Sequence, residues 1–198
     1  VSLGVPVAFL DACVLYPADY RDLLLRLAKE GAFRPLWSPD VQAEWTRNLL
    51  KQRNDLTKEQ LEHTRLQMSR AFPGACVQDY DRLIEEVQGL PDPDDRHVVA
   101  AAFAGGAEYI VTENVHDFPE EVLEVFELEA LELDAFLMLL VELDLRTNGV
   151  PKTVTQGLRR LRRGLRNPSK THMELVAHWR RRGLRGFAKF AWSHRYQW

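Results

Sequence analysis

Asp11 ends a short apolar run, Val5 to Leu10; Glu44 sits one turn into a helix; Asp95 opens another helix; Asn114 and Asp117 follow an apolar run ending at Thr112. Carboxylates are hard oxygen ligands. They suit Mg2+ or Mn2+, which take few protein ligands and keep several waters. Four acids drawn from four distant segments would hold one or two such ions. Two ions about 4 Å apart activate a water and stabilise the leaving oxygen of a phosphodiester. Each acid also has a bland reading. Asp11 would end a strand in a turn, and Glu44 would be a solvated helix residue. Asp92, Asp94 and Asp95 lie in a Pro-rich turn that favours Asp for capping, and Asn114 and Asp117 would bond to their own loop. The argument for chemistry therefore rests on the joint pattern. Between Asp94 and Asp95 the residues by themselves leave the choice open.

Elements that would position these acids are legible along the chain. Val5 to Leu10 reads as a buried strand, Asp19 to Lys29 as a helix stopped before Gly31, and Phe33 to Trp37 as a second strand. Ser38-Pro39 is a helix start, Ser as cap and Pro as first helical residue, for the helix carrying Glu44. Thr57 to Gln60 is a capping box opening a helix to about Arg70, and Asp79 to Gln88 reads as helical. Asp94 or Asp95 is expected to cap the helix through Phe103, which Gly105-Gly106 ends. Tyr109 to Thr112 is a strand, Pro119 starts a short acidic helix, Val125 to Leu128 reads as a last strand, and Leu133 to Leu145 as a closing helix. Short apolar strands alternating with helices imply an α/β fold, a three-layer sandwich around a central parallel sheet. In such sheets, sites lie at the carboxyl ends of strands.

The net charge of -3 averages two opposed parts. Residues 1–150 carry 13 basic against 28 acidic residues, and residues 151–198 carry 13 basic residues against the single acid Glu174. With Asn148, Gly149 and Pro151 as a natural break, the expected organisation is an acidic α/β domain over 1–148 and a basic helical extension over 149–198. Arg159, Arg162, Arg163 and Arg166 share one helix face beside a stripe of Val154, Leu158, Leu161 and Leu165. Arg180, Arg181, Arg182, Arg185 and Lys189 follow, interleaved with Phe187, Phe190, Trp192, Tyr196 and Trp198. Arginine binds phosphate bidentately and aromatic rings stack on bases, so the segment suits single-stranded nucleic acid. Docking of the apolar stripes, with arginines paired to acids such as Glu120, Glu121, Glu124 and Glu127, is the competing reading, and a membrane-surface helix the third.

Four segments in order resemble the PIN-domain nucleases, including the VapC-like toxins of bacterial toxin–antitoxin pairs. Val7 to Leu15 is similar to the family's first motif, a strand ending in the first metal-binding Asp, here Asp11. Ser38 to Trp45 is similar to the second, with Glu44; Asp95 to Ala102 to the third; Val111 to Phe118 to the fourth, with Thr112, Asn114 and Asp117. Cys13 departs from the pattern, which commonly has a small polar residue there, often Asn. The resemblance spans about residues 5–130. It implies Mg2+- or Mn2+-dependent hydrolysis of single-stranded RNA, or similar DNA, by an endoribonuclease. Asp11 and Asp95 would be the main metal ligands, Glu44 and Asp117 would complete the site, and Thr112 and Asn114 would position water or the loop. An antitoxin protein and a second copy of the chain are the protein partners it allows. His97 and His116 are expected at the surface or behind the acids, and Cys13 as a packing residue.

Other classes fit less well. Two cysteines make neither a disulfide scaffold nor a cysteine zinc site, and no apolar run reaches about 18 residues, so a cytoplasmic chain without membrane partners is expected. A haloacid-dehalogenase-type phosphatase would need an Asp where Cys13 stands, and there is no glycine-rich phosphate loop. The remaining alternative is a non-catalytic RNA- or DNA-binding protein on a nuclease-like fold. It would have no reason to keep four acids together.

Overall fold

Val7 to Leu10 is apolar without interruption, as a strand covered on both faces requires, and Ala8, Phe9 and Leu10 are completely buried in the computed structural model. The structure describes residues 4–165 and 169–198. Arg166 of the expected basic face lies outside the described residues. Four strands, β1 (Val7–Leu10), β2 (Arg34–Leu36), β3 (Tyr109–Val111) and β4 (Glu129–Leu131), form one parallel sheet in the order β2-β1-β3-β4. Phe9 pairs with Leu36 on one side and Ile110 on the other, and Leu10 with Val111. The chain leaves β1 toward one side of the sheet and β3 toward the other. The carboxyl ends of β1 and β3 thus flank a topological switch point, where parallel sheets form crevices. Pro35 is tolerated because β2 is an edge strand.

The chain divides into two compact units. The first comprises Pro6–Arg21 and Arg34–Glu132, and holds the sheet. After β1 come α1 (Ala12–Leu15) and α2 (Ala18–Lys29); after β2 come α3 (Pro39–Gln52), α4 (Lys58–Ala71), α5 (Asp81–Ile84) and α6 (Arg96–Ala104); α7 (Glu120–Leu123) precedes β4. The local start signals act as expected. Ser38 accepts from the Val41 N–H at 3.1 Å, and Thr57 and Gln60 close a reciprocal capping box. Three expectations change. The expected helix from Asp79 to Gln88 shrinks to α5, because Asp79 is left-handed and Glu85-Glu86 place like charge against the negative end of the helix. The expected strand at Val125 to Leu128 is a 3-10 turn closed by left-handed Glu127, and the strand begins at Glu129. Before α6, Asp92 rather than Asp94 or Asp95 does the capping, accepting from the Asp94 N–H at 2.9 Å.

The second unit gathers Asp22–Phe33 and Leu133–Trp198. Its long helix α8 (Leu133–Asn148) is followed by α9 (Lys152–Gly164), α10 (His172–Arg181) and α11 (Arg185–Ser193). Two acids of α8 satisfy the starts of later helices. Asp144 accepts from the Val154 N–H at 2.8 Å, and Asp134 accepts from the Gly186 and Phe187 N–H groups at 2.8 and 2.9 Å. Carboxylates there meet otherwise unpaired donors and the positive end of the helix, each worth about 1–2 kcal/mol. Gly157 lets α9 approach the α2 segment closely: a Cβ there would stand 2.7 Å from Leu27 Cδ2. Val154, Leu158 and Leu161 of the expected stripe are buried, as are Trp179, Phe187, Phe190 and Trp198. The aromatic residues expected to be available for stacking are thereby reduced to Trp192 and Tyr196, because the other three fill this unit's own core. No helix among the described residues is long and apolar enough to cross a membrane.

Candidate active site

Asp11 follows β1 and caps α1, its Oδ1 accepting from the Ala12 N–H at 2.5 Å. The other oxygen is held from a distant segment: the Thr112 hydroxyl, at the end of β3, donates to Oδ2 at 2.7 Å. Thr112 Oγ1 in turn accepts from the Asn114 N–H at 3.0 Å, which shapes the loop leading to Asp117. Cys13 has a larger part than packing. Its thiol donates to Asp11 Oδ2 at 3.1 Å, lies 3.3 Å from Thr112 Oγ1, and accepts from the Glu113 N–H at 3.1 Å. Burial and the nearby Asp11 carboxylate push its ionisation upward, so it stays a donor. The polar function of the position is therefore kept by sulfur. The signal available in the sequence was only the spacing Asp-x-Cys.

Asp95 lies at the start of α6, and its side chain makes no capping bond. The carboxylate of Asp95 is pushed up to about 7 by burial first, and then by Asp11, Asp92, Asp117 and Glu44. Those causes identify its neighbours. Asp11, Glu44 and Asp117, the other three acids expected from the sequence, all act on Asp95, together with Asp92. Glu44, on α3, is also raised by burial and by Asp11, against an opposing pull from Arg47. Asp117 is half-buried and paired with the exposed His116 at 3.2 Å. Asn114 is exposed, and its carbonyl accepts from the Asp117 N–H at 2.9 Å.

A cleft of about 480 Å3 is lined by Asp40, Glu44, Arg47, Asp92, Asp94, Asp95 and His97. Asp40 was not anticipated; it accepts from the Tyr80 hydroxyl at 2.6 Å. His97 is held toward the neutral form by burial and has a buried ring nitrogen, Nδ1, without a hydrogen-bond partner. Among the described residues, no three His, Cys, Asp or Glu side chains are close enough together to hold a metal ion as they stand. The acids form an electrostatic cluster rather than a closed ligand set. Its donor chemistry still fits a hard divalent cation: the ligands on offer are carboxylate oxygens, the local charge is negative, and Asp95 has no competing capping bond.

In the second unit the basic residues separate into groups. On α9, Arg159 donates to the Gln197 carbonyl at 2.5 Å, Arg162 is half-buried with its Nε unpartnered, and Arg163 is exposed. Arg160 pairs with Glu30 at 2.8 Å. Arg180, Arg181, Arg182, Arg185 and Lys189 are all exposed. Three of them, Arg180, Arg185 and Lys189, line a cleft of about 340 Å3 with Val176, Ala188 and Trp192. The Arg195 guanidinium stacks over Trp192 and Tyr196 at 4.5 and 4.4 Å.

Comparison with known proteins adds two matches. The family model described as PIN domain matches residues 7–116, more than half of the chain. That span takes in Asp11, Glu44, Asp95, Thr112 and Asn114 and stops one residue before Asp117. A 44-residue stretch, 22% of this chain, is 49% identical to part of a Mycobacterium tuberculosis (strain ATCC 25618 / H37Rv) protein named provisionally as ribonuclease VapC50. The match spans about a quarter of that relative, 26% of its length. No solved structure matches.

Proposed function

The chain belongs to the PIN-domain family, and on that premise we propose that it is a metal-dependent endoribonuclease acting on single-stranded RNA. Asp11, Glu44, Asp95 and Asp117 are its catalytic acids and cation ligands, with Mg2+ or Mn2+ as cofactor. The observation that carries this reading is the shared field at Asp95. Burial first, and then acids from four segments spread over more than a hundred residues, raise one carboxylate that caps nothing. Such a concentration of like charge is unfavourable by itself and is a mark of functional sites. When bound, the cation supplies a polarised water and offsets charge developing on the phosphate oxygens. The chain's own residues do the positioning. Thr112 and Cys13 aim one Asp11 oxygen by donating to it, and Thr112 sets the loop carrying Asn114 and Asp117. The relative named as a ribonuclease supports RNA as substrate, and the resemblance to VapC-like toxins supports an antitoxin as protein partner.

The direct test is cleavage of a short single-stranded RNA by the full chain. Cuts are expected with Mn2+ or Mg2+, none with chelator, and little on DNA of the same sequence. RNA that is bound but never cut, with either cation, would sink the enzymatic reading in favour of a non-catalytic binder.

We further propose a functional boundary at 148/149, with residues 149–198 holding the RNA backbone through exposed cations. Arg180, Arg185 and Lys189 support this, standing around the cleft that Trp192 lines. Because the apolar stripes of this segment are core, neutralisation is the appropriate experiment, not truncation. Arg180→Gln/Arg185→Gln/Lys189→Gln is expected to flatten the plot of log RNA affinity against log salt by about 2, at roughly 0.7 per phosphate contact. A slope unchanged from the parent chain would remove these residues from the binding surface.

A further inference from the structure

We propose that the groove between α3 and α4 is the track along which a single-stranded RNA backbone enters the acidic cleft, with Arg47 the positioning residue at their junction. This rests on the proposed nuclease reading and deepens it. The problem it answers is electrostatic. A cluster of five acids repels a polyanion, so a phosphodiester reaches it only where cations lead in.

Such a lead exists on one side. The α3–α4 groove encloses about 450 Å3, and Arg47, Lys51, Lys58 and Arg65 line it. Ala43 and Arg47 are also walls of the acidic cleft, so the two cavities share a side. Glu44, Arg47 and Lys51 follow one another at helical spacing on α3, passing from acid to cation along one face. Arg65 is paired with Glu62 at 2.8 Å, but none of Arg47, Lys51 and Lys58 forms a salt bridge or side-chain hydrogen bond among the described residues. Three exposed cations held by no salt bridge among the described residues, in a groove that Leu50 and Leu61 also line, favour an anionic chain with apolar faces between its charges. A nucleic-acid strand has that composition, and continuity with the acid cluster places its phosphates where cleavage is proposed. An acidic peptide has similar charge but no reason to be led toward carboxylates.

The test measures binding of a short fluorescent single-stranded RNA to the full chain, with chelator present so that the strand stays whole. Lys51→Gln/Lys58→Gln is expected to bind about tenfold more weakly at moderate salt, with a salt slope flatter by about 1.4. Arg70→Gln/Arg82→Gln, which removes equal charge from exposed positions outside the groove, is expected to stay within about twofold of the parent chain. With Mn2+ supplied, Arg47→Gln is expected to lower kcat as well as raise KM, whereas the lysine pair raises KM. Unchanged affinity and slope for the lysine pair, in a chain that still cuts RNA, overturns the groove and leaves the proposed activity standing. Equal losses in both pairs assign the effect to overall charge and also overturn it. A lysine pair that loses affinity for poly-glutamate but not for RNA makes the groove a peptide site. Failure of the parent chain to bind or cut RNA overturns both proposals.

Discussion

Asp95→Asn and Asp11→Asn are each expected to reduce single-turnover RNA cleavage by at least about 10^3-fold, the loss of roughly 4 kcal/mol of charge stabilisation that a held cation contributes. Neither change should unfold the chain. Asn caps helices about as well as Asp, so α1 keeps its start when Asp11 is replaced. At Asp95 the expectation for stability is a gain. Its folded carboxyl sits at about 7 against an ordinary 3.8, so the folded chain binds a proton that the unfolded chain has lost between those pH values. The ionised Asp95 therefore costs nothing below pH 4, costs progressively more as pH rises to 7, and exacts its full penalty above 7. Without divalent cation, Asp95→Asn is expected to be more stable than the parent at pH 8 by about 1–2 kcal/mol, allowing for solvent screening of a half-exposed group. The advantage should vanish at pH 4. Thermal unfolding at the two pH values, beside the cleavage assay, measures both effects. Cleavage within threefold of the parent by both variants would take these acids out of the catalytic site.

Cation affinity carries the second large effect. A cation entering beside Asp95 must displace the proton that burial and four neighbouring acids hold there below about pH 7. Mn2+ affinity is expected to fall about tenfold for each pH unit below 7, giving nearly a hundredfold loss at pH 5, and to level off above 8. In Asp95→Asn the same titration should be weaker throughout and nearly flat between pH 6 and 8. Isothermal titration in buffers of different ionisation enthalpy would count the released proton. A pH-independent affinity in the parent chain would mean that the cation binds elsewhere.

The acids were legible because each is tied to a local signal. An apolar run ending in Asp, a Ser-Pro helix start with Glu44 one turn in, and an Asp before an alanine-rich helix all act within a few residues, and the structure keeps those elements. What the acids share was not legible. Asp94 and Asp95 were equal candidates for capping, and only the placement of Asp92 on the Asp94 N–H leaves Asp95 without that bond. Cys13 read as a packing residue because its partners Thr112 and Glu113 lie about a hundred residues away. No local signal singles out Asp40 or Arg47, and packing placed both in the lining of the cleft.

The basic segment shows the same division. Composition alone set its charge and its helices, since one acid among 48 residues and apolar positions at helical spacing leave little choice. Which aromatic rings face solvent was decided by tertiary packing. Phe187, Phe190 and Trp198 close a core with Trp179, whereas Trp192 stays 42% exposed beneath Arg195. Packing also decided that residues 22–33 belong with 133–198, although a hundred residues separate them. Propensity, capping and charge are properties of neighbours along the chain, so the sequence by itself determined most of the elements and the order of the acids. Desolvation, pKa shifts and shared cavities depend on which distant segments meet, and only the folded chain decided those.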